Sequence, residues 1–461
     1  MRRYIIIGSG PAGIVAAETI RRNDASGEIC IISADPHGYY SRPGLAYYLN
    51  GDIPRKQLFP FQKEYYRELG LRWHTGSVTA IDPIRHTVSV SAGPNLPYDR
   101  LLIATGAEAQ LPDLPGNKLE GVVRLDSLDD ADLIMRVAHR GQTGVVTGGG
   151  ITALELVEAL AARGMKVQYL LRGDRYWNSV LDESESRIVE QRLRDEGIQI
   201  HYQTNLVEII GKGNKVARAK VNSKQDGDRE IPCSVVAIAI GIRPRTGLAK
   251  AAGLKVERGI RVDPSMQTSA ADIFAAGDVA EVLDPLSGEY VLDSLWAPAI
   301  EMGTAAGLGM SGQSGYYRKA SPFNVTRLAG LVTTIIGQVG SGSGEKGRDK
   351  DTIGIMRGDS EVWRQNPEAV VANTHEGTNR LRLYLRGNHL AGALVMGDQS
   401  LSLPLQRMVR NQQDIGSMRN ALITPGAHIT DILKNYLQSA PRDDQTKPSL
   451  STLSDLRRGG P

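Results

Sequence analysis

The sequence predicts an α/β chain. Two Rossmann-like dinucleotide-binding domains, the second inserted in the first, are followed by a smaller α+β C-terminal domain. Two glycine fingerprints carry most of this. Gly8-Ser9-Gly10-Pro11-Ala12-Gly13 follows the apolar run Tyr4–Ile7, and Gly148-Gly149-Gly150-Ile151-Thr152-Ala153 follows Gly144–Thr147. Each is trailed by an Ala/Leu/Glu-rich helical pattern and then by a second β-rich run. Such glycines serve a tight turn, a close backbone approach to a pyrophosphate and close packing of helix on strand. The helix N-terminus offers free N–H groups and a partial positive charge to the phosphates. A third observation sets the C-terminal domain apart: alternating strands at Leu381–Leu385 and Leu390–Val395, joined by the turn Arg386–His389. Two dinucleotide seats on one chain imply electron passage between two nucleotides.

In the first unit, strand Tyr4–Ile7 and helix Ala12–Arg22 lead to strand Glu28–Ser33, which ends near Asp35. An acid about 20 residues past the glycines can bind both hydroxyls of an adenosine ribose. A solvated loop acid is the alternative. Tyr, Gly and Pro crowd Pro36–Gly51, which reads as a loop able to lie over a cofactor. Strand pairs are expected around Arg72–Ile81 and Thr87–Val90. Leu101–Gly106 reads as a buried strand ending in small residues, and Pro112–Gly116 as a linker. The second unit repeats the plan from Thr143, with helix Ala153–Arg163 and strand Lys166–Leu171. Val235–Ile240 is another buried strand. A third unit opens at Phe323. Gly340–Asp351 reads as a mobile loop, and 439–461 as a disordered polar tail.

Composition narrows the function classes. Net charge is +3, too small to argue for nucleic acid or an acidic membrane surface. No apolar run approaches the ~20 residues of a bilayer span. Gly8 and Gly10 cut short the apolar N-terminal run, which reads as a buried strand and not a signal peptide. Two cysteines, Cys30 and Cys233, argue against a disulfide framework and make a reducing cytoplasm the default expectation.

Five motifs in order resemble the FAD-dependent pyridine nucleotide–disulfide oxidoreductase superfamily along nearly the whole chain. They are Gly8–Gly13, Ala104-Thr105-Gly106, Gly148–Ala153, Gly241-Ile242-Arg243-Pro244 and Ala276-Gly277-Asp278. The resemblance implies an FAD-binding domain from 1–111 with 249–322. It implies an NAD(P)-binding domain at 112–248 and an interface domain at 323–438. In that family Asp278 hydrogen-bonds the ribityl chain; a helix N-cap acid would also fit the position. Asp35-Pro36-His37 and Tyr40-Ser41-Arg42-Pro43 look most like the ferredoxin, rubredoxin and nitrite reductase flavoprotein branch, where Arg42 would lie beside FAD; an exposed loop Arg is the alternative. FAD is thus expected at Gly8, Gly10, Pro11, Ala12, Gly13, Asp35, Arg42, Thr105, Gly106, Gly277 and Asp278. NADPH or NADH is expected at Gly148, Gly150 and Ala153, with Gly241 in the following motif.

The departures from the family pattern are informative. The first unit lacks the redox cysteine pair of the disulfide reductases, and Pro43 stands where oxidases and peroxidases of the family carry one cysteine. Cys30 falls inside a strand, as a small apolar residue would. The branch usually places a Lys near the flavin nitrogen that takes hydride; the aligned residue is Tyr47. Glu155 matches the family Glu of the nicotinamide pocket, and Trp296 the position that approaches the flavin. Glu155, Tyr47 and Trp296 are therefore the candidates at the reacting centre, with a helix-surface Glu and a core Trp as alternatives. At the end of the second strand of the second unit, Leu171 takes the place of the acid of NAD sites. Arg172 and Arg175 follow at a spacing suited to the extra phosphate of NADPH, although Asp174 between them could serve a ribose. The expectation is a flavoprotein reductase that prefers NADPH and passes electrons to an acceptor, such as a small iron–sulfur protein. An electron-transfer subunit of a larger complex, or a flavin-bound sensor, are the alternatives. A homodimer through the third unit is plausible within the superfamily.

Overall fold

A computed structural model describes all residues except 92, 286, 340–368, 376–378, 425–427 and 440–461. It divides into Met1–Gln413 and Asp414–Pro461. The expected mobile loop Gly340–Asp351 lies outside the described residues. So does the expected tail, apart from Ser439, which closes the helix Ile429–Ser439.

The first sheet is parallel throughout, in the order Ile273–Ala275, Arg100–Ile103, Arg3–Ile7, Glu28–Ser33, Leu71–Thr75. Ile5, Ile6, Ile7, Ile31, Ile32, Leu101, Leu102 and Ile103 are buried, as expected for strands covered on both faces. Ile7 pairs with both Ile32 and Ile103, so three strands end level. The chain runs to one side of Arg3–Ile7 for the second strand and returns to the other side for Arg100–Ile103. Such a switch point opens a crevice beyond the strand ends. Helices Pro11–Asn23 and Trp296–Ser311 pack against each other near that edge. A Cβ on Gly303 would sit 2.4 Å from the Ala12 carbonyl oxygen, so glycine sets how closely they approach.

The second sheet repeats the plan, in the order Gln199–His201, Lys166–Leu170, Thr143–Thr147, Val235–Ile238, Val122–Val123, all parallel. Its switch point lies beside Thr143–Thr147. Two short strands, Ala107–Ala109 and Ile242–Pro244, pair antiparallel where the chain leaves the first sheet region and returns to it. The third sheet is antiparallel, in the order Phe323–Leu328, Leu331–Gly337, His389–Met396, Asn379–Arg386, Ala369–His375. The expected late hairpin is present, its turn tightened to Gly387-Asn388 with Gly387 at φ +54°. Leu328, Ile335, Tyr384 and Met396 of this sheet share one apolar core with Val189 and Leu193 of the second unit.

Pro36–Gly51 is not all loop. Helix Gly44–Asn50 forms inside it, buries Leu45, Ala46 and Leu49, and ends on Gly51 at φ +83°. The apolar positions four apart, Leu45 and Leu49, outweigh the flanking Tyr and Pro signals. The pairing around residues 72–90 also differs. Leu71–Thr75 joins the parallel sheet, while Val78–Asp82 pairs antiparallel with Thr87–Val90, which also pairs with Leu96–Pro97. The Asp414–Pro461 unit contains helices Gly416–Ile423 and Ile429–Ser439, with the Tyr436 hydroxyl donating to the Asp414 carbonyl at 3.2 Å.

Candidate functional site

The first glycine turn leaves the sheet at Ile7. Gly8 holds φ +113°, and a Cβ there would lie 2.2 Å from the Ala104 carbonyl oxygen. A Cβ on Gly13 would lie 2.2 Å from the Gly8 carbonyl. Strand, turn and helix therefore meet at backbone distance. Gly10 is the N-cap, and nothing lies within 4 Å of where its Cβ would be. Pro11 has no N–H, and the first intrahelical bond runs from Ile14 to Gly10. The N–H groups of Ala12 and Gly13 thus belong to the helix start, where no intrahelical acceptor exists. An open mouth without side chains, at the positive end of a helix, fits the pyrophosphate of FAD.

Around this mouth the chain gathers carboxylates and one guanidinium. The Ser9 and Ser33 hydroxyls bond each other at 2.9 Å, tying the turn to the end of the second strand. Past it, Asp35 is half-buried; Oδ1 accepts from the His37 N–H and Oδ2 from the Tyr40 hydroxyl, each at 2.9 Å. A carboxylate oxygen can accept more than one bond, so both stay able to receive sugar hydroxyls. Tyr40 also accepts from the Leu128 N–H at 3.0 Å, linking the first seat to helix Leu128–Val137. Gly277, at φ +78°, backs onto Ala12, and a Cβ there would come within 3.2 Å of the Ala12 Cβ. Asp278 follows in a turn between strands and caps no helix; the next helix begins at Trp296 after Leu295.

Arg42 Nη1 donates to Asp126 Oδ1 at 3.0 Å, and Arg245 Nη2 donates to Asp126 Oδ2 at 2.9 Å. Arg245 also grips the Thr105–Gly106 turn. Its N–H donates to the Gly106 carbonyl at 2.9 Å, its Nη1 to the Thr105 carbonyl at 3.2 Å, and its own carbonyl accepts from Thr105 Oγ1 at 3.0 Å. Burial alone would lower the Arg42 pKa. Asp126, then Tyr40, Asp278 and Asp35, overcome that and raise it. The structure thus brings Asp35, Arg42, Thr105, Gly106 and Asp278 together around the first glycine mouth. Trp296 opens helix Trp296–Ser311, is 42% exposed, and hydrogen-bonds the buried Tyr39 hydroxyl, whose pKa burial raises. Tyr47 is similarly exposed on helix Gly44–Asn50.

The second mouth is built alike. Gly148 holds φ +146°, and a Cβ there would lie 2.2 Å from the Ala239 carbonyl oxygen and 3.0 Å from the Ala153 Cβ. Gly149 faces open space, and Gly150 caps helix Ile151–Ala162. Glu155 is buried one turn into this helix. Leu171 is fully buried just past strand Lys166–Leu170, Arg172 is exposed, and Arg175 donates to Asp174 at 3.4 Å and to the Asn178 carbonyl at 3.5 Å. The two arginines therefore differ in exposure: Arg175 is half-buried and bonded within its own loop, while Arg172 is exposed. Gly241, at φ +135°, accepts from the Gln110 N–H at 2.9 Å and so joins the double connection between the sheets.

Sequence reasoning missed Tyr40, Asp126, Arg245 and Glu158. The Ser127-x-x-Asp130 capping box was a readable signal that a helix starts just past Asp126. No local signal pairs Asp126 with residues 84 and 119 positions away. Glu158 lies one turn beyond Glu155. Burial, and next Glu196, push its pKa up to about 7, against Arg327 and the Gly330 N–H. Burial also pushes up the Cys30 thiol, and raises Cys233 to about 12. Among the described residues, no group of three His, Cys, Asp or Glu could hold a metal ion, and no helix is long and apolar enough to cross a membrane.

Comparison with known proteins agrees with this geometry. The profile of the family described as pyridine nucleotide-disulphide oxidoreductase matches residues 2–303. The ferredoxin--NAD(+) reductase component of 3-phenylpropionate/cinnamic acid dioxygenase from Photorhabdus laumondii is 31% identical, over 67% of this chain and 77% of that protein. The assimilatory nitrate reductase electron transfer subunit of Bacillus subtilis is 27% identical over 92% of this chain, which spans 51% of that longer protein. The crystal structure of a ferredoxin reductase from Rhodopseudomonas palustris superposes with a TM-score of 0.79 at 22% identity, covering 94% of this chain and 99% of that one. With the profile spanning both glycine mouths, the chain belongs to the pyridine nucleotide-disulphide oxidoreductase family.

Proposed function

We propose that the protein is a FAD-dependent NAD(P)H:acceptor oxidoreductase. One observation carries the reading: two strand–glycine–helix mouths of the same build, each at the switch point of its own parallel sheet. FAD, when bound, accepts a hydride from a nicotinamide and gives up electrons one or two at a time. The chain's part is to hold, align and exclude water. On this reading residues 1–111 with 249–322 seat FAD through Gly8–Gly13, Asp35, Arg42, Thr105, Gly106, Gly277 and Asp278. Residues 112–248 seat the diffusible nucleotide through Gly148, Gly150, Ala153, Arg172 and Arg175, with Gly241 in the connection, and 323–438 form an interface domain. Glu155 faces the nicotinamide side, and Tyr47 and Trp296 shape the acceptor side. Both thiols have raised pKa values, so neither supplies the thiolate that a cysteine relay needs. Electrons then leave from the flavin itself. The similarity to a ferredoxin--NAD(+) reductase component supports an acceptor protein, and a small iron–sulfur protein is the class proposed.

NADPH is the proposed donor, supported by the buried Leu171 and the exposed Arg172. Anaerobic stopped-flow mixing with NADPH and with NADH tests both levels. Rapid bleaching of the flavin is expected, faster with NADPH. A preference for NADH sinks the donor assignment, and no bleaching with either nucleotide sinks the function. A second reading, the flavoprotein subunit of a larger assembly, is supported by alignment with the Bacillus subtilis electron transfer subunit over 92% of the chain. Copurification of partner subunits from native extract separates the two. A homodimer and a cytoplasmic location complete the proposal, with light scattering and cell fractionation as their tests.

A further inference from the structure

We propose that Asp126 is a positioning residue: its carboxylate sets Arg42 at the FAD seat and ties that seat to the connection between the two nucleotide-binding regions. This rests on the assignment of FAD to the first glycine mouth. Arg42 stands on the segment that follows the second strand of the first sheet. Arg245 stands just past Ile242–Pro244, the returning half of the double connection. Asp126 lies just before helix Leu128–Val137. Three distant stretches of chain therefore meet at one carboxylate.

Its geometry suits the task. The Asp126 side chain is 10% exposed, and each oxygen serves one guanidinium. Its backbone N–H donates to Asp130 Oδ2 at 3.0 Å, and Asp130 is itself held by the capping box with Ser127. The Asp126 backbone is thus anchored at a helix start, and its carboxylate is held between the two guanidiniums. Asp126 is the hydrogen-bond partner that the structure gives the Arg42 side chain, which is otherwise 42% exposed and free to sample many rotamers. Without it, the two guanidiniums would lose the carboxylate they share, leaving Arg245 its longer contact with Glu108 at 3.8 Å. Asp35 and Asp278 attract Arg42 at longer range. Asp126 fixes where that charge points, and Arg245 carries the constraint on to the Thr105–Gly106 turn.

The test is titration of apoprotein with FAD, read by quenching of flavin fluorescence. D126N is expected to weaken FAD binding about tenfold or more, the effect of losing a hydrogen bond to a charged group. R42Q should weaken it similarly, and the loss in D126N/R42Q should fall well short of the sum of the two, because the Asp126–Arg42 bond is common to both while the Asp126–Arg245 bond is lost only with Asp126. D126E, which restores the charge, should recover most of the affinity. D126S stands in should D126N not fold, with thermal unfolding of each apoprotein as the check. A general structural role would leave the two substitutions additive and D126E without effect. Wild-type FAD affinity in D126N, or additive losses in the double variant, overturns the proposal alone. No FAD binding by the unaltered protein overturns the underlying assignment and this proposal with it.

Discussion

Glu158 offers a sharp test of the electrostatics beside the second seat. It stands on helix Ile151–Ala162, and the Gly330 N–H, in the turn between Phe323–Leu328 and Leu331–Gly337, favours its charged form. Burial, then Glu196 and Glu155, disfavours its charge, while Arg327 favours it. The pKa rises from 4.5 to about 7. A raised folded-state pKa means that stability is fully present below the unfolded value and is lost as pH climbs through about 7. Each tenfold change in protonation is worth about 1.4 kcal/mol, so full ionisation costs about 3 kcal/mol, or roughly 2 after allowing for the half-buried setting. E158Q removes the charge and keeps an oxygen for the Gly330 N–H. It should match the native protein near pH 5 and exceed it by roughly 2 kcal/mol near pH 8. Thermal unfolding at both pH values, with FAD saturation held equal, reads this as a narrower gap in Tm for E158Q. Parallel pH dependences in the two proteins would refute the reasoning.

Three further outcomes follow from the same geometry. G8A would push a Cβ to 2.2 Å from the Ala104 carbonyl at φ +113°, so the purified variant should carry little or no FAD by its flavin-to-protein absorbance ratio. K319M should lower Tm, because Asp293, buried with the Tyr317 hydroxyl at 2.9 Å, loses the Lys319 charge that offsets its burial; K319M/D293N should recover part of the lost Tm. R172A should raise the KM for NADPH about tenfold and leave that for NADH nearly unchanged, and equal effects on both would remove Arg172 from the phosphate site.

The parallel units were legible because their signals are local. An isoleucine run, a glycine turn and a helical pattern lie within about twenty residues of each other, and sheet register then follows from burial on both faces. The Gly44–Asn50 helix was hidden because Tyr, Gly and Pro dominate its surroundings and only Leu45 and Leu49 speak for it. The site was legible as far as its motifs extend. Asp35, Arg42 and Asp278 were each named singly as candidates, yet the bond between Arg42 and Asp126 was not foreseen. Asp126 approaches Arg42 from 84 residues away, and pairing of that kind depends on how two sheets are connected, not on any window of sequence.

That connection also bears on how one chain could tell its two nucleotides apart. On the proposed assignment, the first mouth presents the Asp35 carboxylate at its strand end, which accepts from ribose hydroxyls and repels an added phosphate. The second presents Leu171 and Arg172 at the matching strand end, which gives a ribose hydroxyl pair no carboxylate there and a phosphate a guanidinium. Discrimination then rests as much on the mismatched group at each seat as on the matched one. Arg42 would upset this if it swung free, because a loose guanidinium at the first mouth would welcome a phosphate there too. On the proposal above, holding it on Asp126, with Asp278 and Asp35 in its field, would keep the first seat selective for a nucleotide whose ribose hydroxyls are bare.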